Sequence, residues 1–284
     1  MSELPSPPAP SMPDARLSLP SGWIQPSLGA GVGALMTARS AGHSSGPYAS
    51  CNLGDHVDDS ATAVARNRAS VAGLTRARHV WLTQVHGHRV VRLSADSLGQ
   101  PQPEADGAVC TEPGVACTVM VADCLPVLLA APQGRGVAAL HAGWRGLAGA
   151  GDMAGRGILE TGVEALCEAA GCDPGDLRAW LGPCIGPSAF EVGADVLKAF
   201  GVDPDEAHPR FAARPPHAGE AAPRWLADLA GLARDRLAAL RLVDDHIGGG
   251  RWCTVSAPSR FFSFRRDAGR TGRQAACIWL ERRS

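Results

Sequence analysis

Two segments concentrate side chains able to do chemistry: Val121-Ala122-Asp123-Cys124-Leu125-Pro126 and His141-Ala142-Gly143-Trp144-Arg145-Gly146. Between them, Val127–Ala131 and Val137–His141 are apolar and β-branched, and Gln133-Gly134-Arg135-Gly136 has turn chemistry, so the stretch reads as a β-hairpin. Paired residues of an antiparallel hairpin keep a constant index sum. A sum of 265 pairs Cys124 with His141 and centres on Pro132 and Gln133, beside the expected turn. A turn centred slightly later slides the register by about 10 Å and still leaves both residues at one mouth. A third candidate, His86 in Thr83-Gln84-Val85-His86-Gly87-His88, ends another strand-like segment. Donors of type His, Cys and His from separate segments match a catalytic zinc site, where water fills the fourth position. A structural zinc would add a fourth donor and close Cys or His pairs. The set is soft enough for copper, with Met120 as an axial candidate, but Met120 lies in an apolar strand and reads as core.

Taken singly, a cysteine in an apolar run is packing and a histidine at a strand end is an ordinary polar residue. The three together, with Gly87 and Gly143 permitting close backbone approach, make the stronger case. His88 reads as the solvated member of the His-x-His pair. Asp123, beside a ligand, reads as a supporting or structural group before a proton carrier. Arg145 and Gly146 precede an expected long helix whose N-terminus would favour an anion. Arg68 and Arg265 offer the same choice as Arg145, between holding phosphate and pairing with an ordinary carboxylate.

The elements expected to position these residues are mixed. A helix runs over Ser60–Leu74 with Ser60 as cap, and His79–His86 and Arg89–Leu93 are strands joined at Gly87. Ala116–Val121 is another strand. A long helix is expected from about Gly146 to Ala170, and a second opens at a Ser188-x-x-Glu191 capping box. A third carries Trp225, Leu226, Leu229, Leu232, Leu237 and Leu240, while Phe261–Arg265 and Gln274–Leu280 return to strand. This irregular order argues for an α+β protein.

With 284 residues, 45% of them hydrophobic, the chain can bury a large core without disulfide or metal staples. Its 27 basic and 28 acidic residues nearly cancel, so no overall field draws nucleic acid or an anionic membrane, and small-molecule chemistry is the default. Nine cysteines, an odd number without a Cys-x-x-Cys pair, argue against a disulfide framework. Neither a secretory signal nor a membrane span is evident, and a cytoplasmic protein with reduced cysteines is expected. Residues 1–20, rich in Pro and Ser, read as a disordered leader before a single domain over 21–284, with Gly201–Pro223 as the other surface excursion.

The blocks Gly46-Pro47-Tyr48-Ala49-Ser50-Cys51-Asn52-Leu53-Gly54, Gln84-Val85-His86-Gly87, Ala122-Asp123-Cys124-Leu125-Pro126 and His141-Ala142-Gly143-Trp144-Arg145-Gly146 resemble the YfiH-like, or laccase-domain, family. So do Leu181-Gly182-Pro183-Cys184-Ile185-Gly186, Phe190-Glu191-Val192-Gly193, Phe261-Phe262-Ser263-Phe264-Arg265-Arg266-Asp267 and Thr271-Gly272-Arg273. The resemblance implies one layered α/β/β/α domain and a zinc held by His86, Cys124 and His141. It implies phosphorolysis of adenosine, inosine and S-methyl-5'-thioadenosine, with adenosine deamination. Under older naming it implies copper-dependent polyphenol oxidation, and some members are linked to peptidoglycan-precursor correction. Asn52 joins Arg145, Arg68 and Arg265 as substrate- or phosphate-binding candidates. Cys51 stands for the usual leucine, Phe264 for the usual tyrosine, and one extra residue precedes Thr271-Gly272-Arg273. The missing phenol leaves Phe264 without a catalytic role.

The leading expectation is therefore a zinc enzyme acting on purine nucleosides and phosphate. Any deamination must use a scaffold other than the His-x-Glu with Pro-Cys-x-x-Cys deaminases, whose signature is missing. One alternative is an amidase acting on a peptidoglycan-precursor amide, with Cys124 as nucleophile and His141 as base. Copper oxidation is another, poorly served by nine histidines with one His-x-His. The last is a binding module without turnover.

Overall fold

Apolar strands buried on both faces carry the architecture. The computed structural model describes residues 18–215 and 222–282. The leader expected over 1–20 thus lies outside the described residues except for its last three.

A six-stranded sheet has the order β12 (Ile247–Gly249), β8 (Arg178–Leu181), β6 (Leu125–Ala130), β7 (Val137–Ala142), β4 (Gly107–Cys110) and β3 (Val90–Leu93). Against it lies a four-stranded sheet of order β1 (Val32–Met36), β13 (Gln274–Leu280), β5 (Val115–Val121) and β2 (Arg78–Val80). Side chains alternate faces along a strand. Val115, Cys117, Val119 and Val121 of β5 therefore join Leu128 and Ala130 of β6 and Val137 and Ala139 of β7 between the sheets. Ala116 and Met120 turn outward, to a cluster with Val71 of α1 (Ala61–Thr75). Leu125, Val127 and Leu129 turn to the other side, onto Leu159, Val163 and Leu166 of α3 (Ile158–Ala170) and Leu229 and Leu232 of α5 (Leu229–Ala239). Burying one such aliphatic side chain contributes about 1.5–3 kcal/mol. The result is the α+β class expected from the order of elements, with the α/β/β/α layering that the family resemblance implies. A small sheet of β10 (Phe211–Arg214), β11 (Arg224–Ala227) and β9 (Glu191–Val192) stands apart. Among the described residues no helix is long and apolar enough to cross a membrane.

Helix α1 follows the expected span, and the Ser60 hydroxyl accepts from the Ala63 N–H. Other expectations are corrected. The long helix from Gly146 is broken into α2 (Trp144–Ala148) and α3, because Gly149, Gly151, Ala154 and Gly155 all take positive φ between them. No helix starts at Ser188: Glu191 and Val192 pair with β11, and the helix α4 (Ala194–Ala199) begins after Gly193. Trp225 and Leu226 belong to strand β11, and α5 starts later, where the Asp228 carboxylate accepts from the Gly231 N–H at 2.9 Å. Phe261–Arg265 is a turn rather than a strand, with Phe261 and Phe262 fully buried as anchors. Of the expected His79–His86 strand, His79 and Val80 pair within β2 and Thr83 makes an isolated bridge to Glu104, leaving a loop that carries His86. Part of the expected 201–223 surface excursion is strand β10; residues 216–221 lie outside the described residues.

Candidate active site

Hairpin register brings the first two candidates together. Pro126 pairs with His141 and Leu125 with Ala142, an index sum of 267 rather than 265, because the turn sits at Pro132–Gly134. The difference is even, so Cys124 stays on the face of His141, one diagonal step away. That face looks between the sheets. His86 arrives from the loop, its ring centroid 4.8 Å from that of His141 and its Nε2 3.8 Å from the Cys124 Sγ. One donor atom each from His86, Cys124 and His141 lies within 4.8 Å of the others, the one such cluster of three among the described residues. Gly143 makes the approach possible, since a Cβ there would stand 2.9 Å from His86 Cδ2 and 3.1 Å from Cys124 Sγ.

Asp106, fully buried just before β4, organises both histidines. Its Oδ1 accepts from His141 Nδ1 at 2.8 Å and from the His86 N–H at 2.9 Å. Its Oδ2 accepts the N–H groups of Gly87 at 2.7 Å and Val85 at 3.2 Å. These bonds hold His86 at φ 62°, a left-handed conformation rare for a residue with a Cβ. Gln84 pins the same loop to β5 through both amide atoms and the Met120 backbone, at 2.8 and 2.9 Å. With Nδ1 engaged by Asp106, His141 presents Nε2 to the cluster.

The electrostatics are those of an ion pair. Burial raises the Cys124 pKa, but the charge and hydrogen bonds of His141 and His86 outweigh it and bring the thiol down to about 6. Burial lowers His141, and the Cys124 thiolate and Asp106 carboxylate overcome it to reach about 9. Burial likewise raises Asp106, but its bonds to His141, Gly87 and Val85 prevail and hold the carboxyl below its ordinary value. These shifts favour a thiolate at Cys124 and a protonated imidazole at His141; a metal held there would require that imidazole to be neutral.

The trio lies in the wall of a cavity of about 420 Å³. Trp144, Ile185, Phe190, Leu229 and Phe264 form its apolar wall, and Arg145, Arg265 and Arg273 bring positive charge. The Arg145 guanidinium lies over the Trp144 ring at 4.4 Å. Arg265 lies over Phe190 at 5.8 Å and donates to the Glu191 carbonyl at 3.2 Å. Asp123, at φ 88°, does not face the trio as a base: its carboxylate accepts from Thr254 Oγ1, from Ser263 Oγ at 3.0 Å and from the Arg265 N–H at 2.7 Å. It thus fixes the turn that carries Phe264 and Arg265.

Two expected substrate contacts are corrected. Asn52 is fully buried, and its side chain bonds the Gly54 backbone, Asp59 and the Arg273 N–H, which makes it a brace beneath the site. Arg68 pairs with Asp55 at 3.2 Å, donates to the Leu53 carbonyl at 2.9 Å and stacks 4.2 Å over Trp81. Neither lines the cavity. Arg145 does, but from within the five-residue α2 rather than ahead of a long helix, so the dipole argument for it fails. His88 points away, its Nδ1 2.8 Å from the Arg156 carbonyl oxygen. Met120 reaches the cavity wall but is 4% exposed within the core.

Sequence reasoning missed Asp106 and Arg273. An aspartate entering the apolar strand Gly107–Cys110 is a signal in itself, since a buried carboxylate demands donors. Its donors, 20 and 35 residues away, leave no local trace. Arg273 follows Thr271-Gly272 and donates to both their carbonyls at 3.1 Å, which fixes its guanidinium at the cavity. Burial depresses its pKa, opposed by the charges of Cys124, Asp123 and Tyr48.

The family described as multi-copper polyphenol oxidoreductase laccase matches residues 33–281. The chain is 43% identical over 261 residues to a Pseudomonas aeruginosa protein named purine nucleoside phosphorylase PA4543, covering 91% of this chain and 98% of that protein. To Escherichia coli purine nucleoside phosphorylase YfiH it is 41% identical over 260 residues, 91% of this chain and 96% of the other. The crystal structure of Neisseria meningitidis protein NMB0706 superposes with a TM-score of 0.80 at 41% identity, covering 92% of this chain and all of that one. That of YlmD from Geobacillus stearothermophilus gives 0.79 at 30% identity, with 95% and 98% covered. A match of this length in both sequence and fold, with the His-Cys-His cluster inside it, places the chain in the YfiH-like, laccase-domain family.

Proposed function

We propose that the protein is a zinc-dependent purine nucleoside phosphorylase acting on adenosine, inosine and S-methyl-5'-thioadenosine, with adenosine deamination as a second activity. The observation that carries this reading is the convergence of three metal-type donors in a cavity that combines aromatic walls with three arginines. The names of the relatives above support the same substrate class.

The residues fit zinc. Ligand atoms about 2.0–2.3 Å from one tetrahedral ion stand about 3.5 Å apart, and the 3.8 Å between Cys124 and His86 needs little adjustment. The thiol is already poised to ionise, and Asp106 supplies the carboxylate that usually orients a ligating histidine. A bound zinc would supply Lewis acidity to an oxygen of phosphate or water. The chain does the rest. Trp144, Phe190 and Phe264 offer faces for the purine, and Arg145, Arg265 and Arg273 offset the phosphate charge. Phosphorolysis joins a phosphate oxygen to the ribose C1′ as the C1′–N9 bond breaks and the leaving purine takes a proton. Copper oxygen chemistry of the multi-copper kind needs several clusters, whereas the described residues hold one.

A second reading is favoured by one observation, the Cys124–His141–Asp106 chain, which has the composition of a cysteine nucleophile triad and suits an amidase. Incubation with adenosine, with and without inorganic phosphate, separates the readings. Phosphate-dependent adenine is expected, with slower phosphate-independent inosine. Neither product from zinc-loaded protein would overturn the nucleoside reading and leave the amidase.

A further inference from the structure

A second pair of sulfur groups lies outside the active site, where α3 ends. Gly171 closes that helix in the left-handed region at φ 61° and ψ 53°, and the chain doubles back so that the Cys172 N–H reaches the Cys167 carbonyl at 3.2 Å. This is the six-to-one closure of a helix C-terminus. It sets Cys172 at the position where a helix closed in this way brings its side chain back over that of Cys167, and each thiol feels the other electrostatically. Both are half-buried and line one open surface cavity of about 700 Å³, together with Arg135 and Asp173. Arg135 donates to the Gly171 carbonyl at 2.9 Å and lowers the charge cost of a thiolate at Cys172, although burial dominates and keeps that thiol raised.

The other seven cysteines differ. Cys51, Cys110, Cys117, Cys184 and Cys277 are buried, Cys124 belongs to the metal-type trio, and the Cys253 sulfur accepts the N–H groups of Gly186 and Ser256 at 3.2 and 3.4 Å. Only the 167/172 pair combines a shared solvent-open cavity with a backbone closure that holds the two residues together.

We propose that Cys167 and Cys172 form a reversible disulfide, a redox modification site separate from the metal-type trio. The oxidant is a low-molecular-weight disulfide. The Cys172 thiolate attacks it, forming a mixed disulfide and releasing one external thiolate. Cys167, giving its proton to that thiolate, then attacks the Cys172 sulfur and expels the second external thiol. Two protein thiols are oxidised and one external disulfide is reduced to two thiols. The bond staples the last turn of α3, which packs on β4 and β7, the strands that flank Asp106 and carry His141.

The test is oxidation of the folded full chain by oxidised glutathione, acid quench, alkylation under denaturing conditions and trypsin digestion. Cleavage after Arg156 and Arg178 yields the peptide Gly157–Arg178, which contains both cysteines and no other. It is expected two hydrogens lighter than the dithiol, free of alkyl groups, and restored by dithiothreitol. The Cys172→Ser variant is expected to lose this species while unfolding at the same denaturant midpoint as the parent. Two alkyl groups on the oxidised parent peptide, or one glutathione on each cysteine without a crosslink, would overturn the proposal.

Discussion

Replacing Cys124 with alanine is expected to abolish metal retention and nucleoside turnover together while leaving the fold in place. The thiolate is the one anionic donor of the trio, and its charge is the largest of the influences, shared with Asp106, that lift His141 to about 9. Without it the site keeps two imidazoles, one of them on an exposed loop, and loses the softest ligand. The drop in activity should far exceed the about 10–100-fold typical of losing a residue behind a ligand. Stability should change by about 1 kcal/mol, since the side chain is small and borders a cavity. Metal content after dialysis, turnover of adenosine with phosphate, and a urea midpoint measured on one preparation check the three statements. Full activity in the variant would remove the trio from the chemistry.

Asp106→Asn should give the second-largest effect and separate positioning from folding. An amide can still accept from His141 Nδ1 with its one oxygen, but its NH₂ then faces the N–H groups of Gly87 and Val85, donor against donor. Turned over, it loses His141 instead. Either way one ligand is left misaligned, and a loss of about 10–100-fold in zinc affinity and turnover is expected. Buried unsatisfied groups should also cost about 1–3 kcal/mol of stability. A role confined to folding would lower the urea midpoint while leaving the zinc dissociation constant of the folded protein unchanged. Competition against a chromophoric chelator measures that constant directly.

The Cys124–His141 pair was legible in the sequence because a hairpin obliges residues before and after a turn to meet, and an even error in register cannot move a side chain to the other face; His86, in a separate loop, was a candidate by residue type alone. The central strands were legible because strands buried on both faces are continuous apolar runs, as in β5 and β6, while their layering was implied only by the family resemblance. What failed was decided by backbone conformation or by distant partners. The helix expected through Gly146 to Ala170 was broken by glycines whose positive φ no periodicity announces. Trp225 and Leu226 keep helical spacing with Leu229, yet tertiary pairing with Val192 and Glu191 makes them strand. Arg68 could have held an anion on charge alone, but Asp55 and Trp81 hold it first. Asp106 acts through partners 20 and 35 residues away and falls in no local motif, whereas Arg273, held locally by Thr271 and Gly272, is brought to the cavity only by the fold.

Zinc K-edge X-ray absorption on the zinc-loaded protein examines the heart of this account. One sulfur at about 2.3 Å, imidazole scattering from two histidines at about 2.0 Å and one further light atom are expected, with one zinc per chain. A spectrum without a sulfur shell, or with two or more sulfurs, would mean that Cys124, His86 and His141 do not share an ion.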